Sequence, residues 1–147
     1  MGRFVFRLEK VLRYREHLEK NMRQKLRSAR EVCASKERAL MDVNLKRNLA
    51  AKRCAGEEEK GLEVATYHLY RNFIEHLSRE LEDASQSLQG AKEEVRAVEK
   101  AWLIASSNKK SLENLRERQF LSHKETQERE DQKLLDELVI LRRGQLI

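Results

Sequence analysis

The sequence predicts an all-α protein, folded as a long antiparallel two-helix coiled-coil hairpin whose second helix outlasts the first. Three observations lead there. The chain has 147 residues and no proline, and 38% of it is charged while only 5% is aromatic, a composition typical of long helices and coiled coils. Apolar residues recur in steps of three and four over tens of residues, a period that strands do not produce. Glycine punctuates strongly at one internal place, where Gly56 and Gly61 bracket "EEEK". Turn freedom beside an acidic run that favours a following helix N-terminus marks a reversal there.

The first helix is expected over about 4–55. One heptad column holds Val5, Leu12, Glu19, Leu26, Cys33, Leu40, Arg47 and Cys54, and the other holds Leu8, Arg15, Met22, Ala29, Lys36, Val43 and Ala50. Eleven of these fifteen positions are apolar, which specifies a seam rather than a free helix. Phe4, Val11, Leu18, Val32 and Ala39 widen that stripe on one flank, as a helix with more than one neighbour near its start would require.

After a turn at about 56–61, the second helix is expected over about 62–143. Tyr70, Ile74, Leu77, Leu81, Ala84, Leu88, Ala91, Val95, Val98, Trp102 and Ala105 advance by alternating steps of four and three until Lys109, and the pattern resumes at Leu112. The alanines allow close approach of a partner helix. Residues 122–133, "SHKETQEREDQK", contain no apolar side chain. "LLDELVILRR" then restores a dense apolar face, ending in cations suited to the negative end of a helix dipole.

Arm lengths carry a consequence of their own. A hairpin folded at about residue 58 pairs residue 4 with a position near 112 and leaves roughly 30 C-terminal residues, or about 45 Å of helix, beyond the first arm. An apolar face without an internal partner usually marks an interaction surface.

The remaining composition excludes more than it assigns. No stretch approaches the roughly 20 apolar residues that span a bilayer, and no secretory leader opens the chain, so a cytoplasmic protein without direct membrane insertion is expected. Cys33 and Cys54, 21 residues apart on one helix, lie about 30 Å apart, too far to bridge, and fit as small core residues. No phosphate loop, nucleophile elbow or metal-spaced cluster is present, so neither an enzyme nor a cofactor is expected. His68 and His76 stand two turns apart, and Glu82–Asp83 and Glu93–Glu94 diverge as adjacent helix residues do, so they belong to a solvated face. Residues 1–30 hold ten Lys or Arg against three Glu. A basic amphipathic helix of this kind suits nucleic acid, an anionic membrane surface or an acidic protein. The scarcity of aromatics to stack bases disfavours nucleic acid.

Four segments, "FVFRLEKVLRYRE", "YRNFIEHLSREL", "VEKAWLIASSNKKSLENL" and "EREDQKLLDELVILRR", resemble the flagellar FliJ family in order and spacing, across nearly the whole chain. Stalk proteins of virulence-type secretion systems share part of the pattern. The resemblance implies a two-helix coiled coil similar to the central stalk of rotary ATP synthases. Its paired ends would sit in a hexameric export ATPase (FliI-like), and its hairpin region would face a membrane export gate (FlhA-like), at the base of the flagellar export apparatus. It also implies recycling of export chaperones, which no residue supports independently. On this resemblance the ATPase-binding residues would be Phe4, Phe6, Leu8 and Arg13 with Leu134, Asp136, Glu137, Leu138 and Leu141. The gate-binding pair would be Phe73 and Leu77, although Glu80 and Ala84 depart from the small residue and histidine that continue the family's pattern. A generic coiled-coil scaffold without an ATPase partner is the alternative from another class.

Overall fold

The computed structural model describes residues 2–145. Two helices account for nearly all of them: α1, Glu9–Lys60, and α2, Val64–Gln145. They pack against each other as an antiparallel hairpin, 82 residues against 52, with no strand among the described residues. Contacts group the chain into two units, one joining residues up to Lys20 with those from Leu103 onward, the other spanning Asn21–Trp102.

The reversal is shorter than the expected 56–61 and begins at its last residue, occupying 61–63. Gly56 stays helical with open space where a Cβ would stand, and α1 continues to Lys60. The break comes at Gly61, whose φ of 88° is the left-handed conformation that terminates helices and that only glycine adopts cheaply. Its N–H donates to the Glu58 carbonyl at 3.2 Å, and two residues on, the Glu63 carbonyl accepts from Tyr67 N–H at 2.9 Å, opening α2. A helical glycine costs about 1 kcal/mol relative to alanine. A long packed helix absorbs that cost, so the glycine forced into positive φ decides where the chain turns.

In the Asn21–Trp102 unit the expected seams are where packing occurs. Leu26, Ala50 and Cys54 of α1 and Leu77 and Leu88 of α2 are buried, and the rest of the α2 series from Tyr70 to Trp102 is half-buried. Lys36 departs from its column and is exposed. No described side chain is wholly sealed from water, as a single pair of helices cannot enclose a thick core.

The other unit differs from expectation at its N-terminus. Residues 2–6 are not helical, and α1 starts at Glu9, not near residue 4, with the Leu8 carbonyl accepting from Leu12 N–H at 2.9 Å. Val5, assigned to a seam column, is accordingly exposed, whereas Phe6 is 4% exposed. The physical reason is reach. From the Glu9–Arg116 ion pair to the Gly2–Gln127 hydrogen bond, seven steps of the N-terminal segment run alongside eleven of α2. That is about 2.4 Å per residue, against the 1.5 Å a helix allows. Phe4 thereby meets Phe120 instead of the neighbourhood of residue 112. The uncovered end of α2 shrinks to residues 128–145, about 27 Å.

Candidate functional site

The N-terminal segment is held by a ring of weak, convergent contacts. The Phe4 ring meets Phe120 edge-on at 5.3 Å and His123 at 5.6 Å, with the Arg116 guanidinium 5.8 Å above its face. Arg116 Nε also donates to Glu9 Oε2 at 3.0 Å. The Gly2 carbonyl accepts from Gln127 Nε2 at 2.7 Å and lies 3.0 Å from His123 Nε2. Aromatic and cation–π contacts of this kind contribute of order 0.5–1.5 kcal/mol each. Together with the burial of Phe6 they order a segment that lacks helical hydrogen bonds of its own. Phe4 and Leu8 are half-buried, and Arg13 is exposed on α1.

Beyond Gln127 every described residue of α2 is exposed. Leu134, Leu135, Leu138, Val139 and Leu141 occupy an arc of about 160°, wider than the roughly 100° stripe a single packed face needs. Ile140 lies outside that arc and is also exposed. Asp136 accepts from Gln132 Nε2 at 3.2 Å one turn back, Glu137 is exposed, and Arg142 and Arg143 fall in the last turn. The terminal residues Leu134, Asp136, Glu137, Leu138 and Leu141 are thus not brought against Phe4, Phe6, Leu8 or Arg13. They begin one heptad past the last contact of the N-terminal segment.

The two remaining candidates part company. Leu77 is 3% exposed and belongs to the seam, whereas Phe73, one turn earlier, is 51% exposed with Leu69 beside it on the same face. A line that sequence reasoning missed runs on α1: Met41, Leu45 and Leu49, each one turn apart and all exposed. They stand off the heptad columns, and counting i, i+4, i+8 matches outside those columns is the signal that finds them.

Reactive chemistry is sparse. No group of His, Cys, Asp or Glu suited to a metal occurs among the described residues. Both cysteines are free. Burial, reinforced by the Glu58 carboxylate 3.8 Å from its sulfur, pushes the Cys54 thiol above its ordinary range, the opposite of a reactive cysteine. Tyr70 is raised chiefly through its hydrogen bond with Glu57, which belongs to the helix-ending acidic run. These shifts follow from packing near the turn.

The family model for the flagellar FliJ protein matches residues 4–145. No curated protein matches the chain, and no solved structure does.

Proposed function

The chain belongs to the flagellar FliJ family, and on that premise we propose that this export-related coiled-coil protein is a non-catalytic stalk. Its ends would bind the hexameric export ATPase, and its hairpin would engage the membrane export gate. The observation that carries the reading is the terminal turn set of α2. Six large apolar side chains between Leu134 and Leu141 are exposed, and their arc suits enclosure by several surfaces better than one flat contact. The lumen of a ring is such an enclosure. Asp136, Glu137, Arg142 and Arg143 on the same turns supply the polar rim that orients an apolar insert.

In this mechanism a stiff helix pair inserted in a six-fold ring contacts the subunits unequally. It stabilises one arrangement of the ring over others and so links nucleotide turnover to a second site. Phe73, exposed on the rigid α2 shortly after the turn, is the aromatic anchor proposed for the gate, and Leu77 holds it in place from the seam. The site of action is the cytoplasmic face of the inner membrane at the base of the flagellum. No described helix is long and apolar enough to cross a membrane, in keeping with a peripheral position. Escort of empty export chaperones is a further family role that no residue here singles out.

The test is stimulation of the purified export ATPase by the whole chain and by a chain ending at Asp131. Loss of stimulation with retained helicity is expected. Full stimulation by the shortened chain would sink the assignment of the tail and leave a coiled-coil scaffold as the better reading.

A further inference from the structure

An open cleft of about 490 Å³ lies within the Asn21–Trp102 unit, far in sequence from both Phe73 and the C-terminal tail. Its floor is Leu26, buried, and Trp102, half-buried; its rim is Arg23, Arg27 and Arg30, all exposed, with Glu31 the single carboxylate among them. The three guanidinium groups come from one helix face. Arg23 and Arg30 are two turns apart, about 10.5 Å along the axis, with Arg27 between them.

We propose that this cleft docks an acidic amphipathic helix of a partner protein, inserting one apolar side chain over Trp102 and Leu26. Carboxylates at positions i, i+4 and i+7 of a helix repeat at the spacing of the three arginines. Guanidinium groups bind carboxylates through paired hydrogen bonds that a bare point charge does not make. The apolar floor selects for protein. A nucleic-acid groove would interleave its cations with several aromatic platforms for successive bases, and here a single ring stands beside an aliphatic residue that a phosphate backbone has no use for. Glu31 reduces the rim to two net positive charges. That favours a ligand whose acids are spaced along the arginine face over a diffuse polyanion.

Trp102 is the chain's one tryptophan, so its emission reports occupancy of this cleft directly. The probe is a 15-residue helical peptide with Glu at i, i+4 and i+7 around one Leu and no aromatic residue, titrated into the full chain, with a 15-mer oligothymidine in parallel. A saturable emission change with the peptide is expected. Arg27→Gln together with Arg30→Gln should weaken it about tenfold, because a pair of charge-assisted contacts at an anchor is lost. Lys46→Gln together with Lys52→Gln removes the same net charge at exposed positions on α1. Those sites lie farther than a Debye length from the cleft at physiological salt, and the change should leave affinity within about twofold. Circular dichroism verifies that both variants keep the helices; glutamine replaces arginine on a helix surface at little cost. No emission change at millimolar peptide would overturn the proposal. So would equal affinity of the arginine variant, or oligothymidine binding as tightly as the peptide, which would make the cleft a general anion surface.

Discussion

Glu19 and Lys109 face each other across the two helices, Lys109 Nζ standing 3.7 Å from Glu19 Oε2, and each interrupts an apolar column of its own helix. Glu19 is 5% exposed, and Lys109 also reaches Glu113 at 3.8 Å. A carboxylate at that depth is tolerable only while compensated. Sliding one helix by a turn would bury Glu19 against apolar residues, so the pair acts on register in the way polar residues do in coiled-coil seams.

Removing one partner should therefore cost more than removing both. Lys109→Ala is expected to destabilise the hairpin by about 1–3 kcal/mol, at the low end for a broken buried pair because Lys109 keeps contact with water. Glu19→Leu combined with Lys109→Leu should melt at or above the temperature of the parent chain. Thermal denaturation followed by circular dichroism reads both, and a double variant less stable than Lys109→Ala would contradict the assignment.

Phe73 and Leu77 make a matched comparison one turn apart. Leu77→Ala should lose about 2–4 kcal/mol, since it empties a buried seam position. Phe73→Ala should change stability by under about 0.5 kcal/mol while weakening binding to the export gate. Equal losses of stability in the two variants would mean that Phe73 packs as core.

Leu138→Asp places a charge in the exposed apolar arc. Hairpin melting should be unaltered, because no described residue covers that position, whereas stimulation of the export ATPase should fall at least tenfold, the penalty for desolvating an unpaired carboxylate at a contact. Preserved stimulation would remove the tail from the binding surface.

Cys54 provides a pH test. Its thiol is raised, first by burial and then by Glu58, so less of it is thiolate at pH 8 than in the unfolded chain. In a Cys33→Ser background, alkylation should be slower folded than in urea, and its rise with pH should extend to more alkaline values. A raised folded pKa also means that the associated stability is complete below the ordinary thiol range and is lost as pH climbs through the folded value. Alkylation as fast in the native protein as in urea would refute the shift.

The α2 seam was legible because a four–three repeat is a local property that any antiparallel partner satisfies; Leu77, Leu88 and Trp102 could be assigned before their partners were known. Residues 2–8 were not. Phe4 and Phe6 can be placed on a helical stripe on paper, but the extended path sets Phe4 against Phe120 and His123 of the far arm, contacts that local sequence does not encode. Gly56 and Gly61 read alike in sequence. In the fold one stays helical and the other takes the positive φ, a choice that the composition around them does not make. The exposed apolar face of the tail was legible because its apolar excess is visible in "LLDELVILRR", beyond the reach of the shorter first arm. What would cover that face is not written in this chain, since a complementary surface would belong to another molecule.

The contrast between the extended residues 2–6 and the helix that follows has a consequence for how this chain can vary in length. One residue added within α1 would rotate every later seam position by about 100° away from α2, and only a matching addition in α2, or a full heptad in both arms, would restore the fit. One residue added before Glu9 disturbs no seam, because an extended segment takes up slack by bending. Insertions and deletions should therefore occur singly in the N-terminal segment and in paired multiples of seven along the arms. The spacing between Phe4 and Leu12 is free to drift among relatives, while the spacing between Glu19 and Cys54 is bound to that between Tyr70 and Lys109.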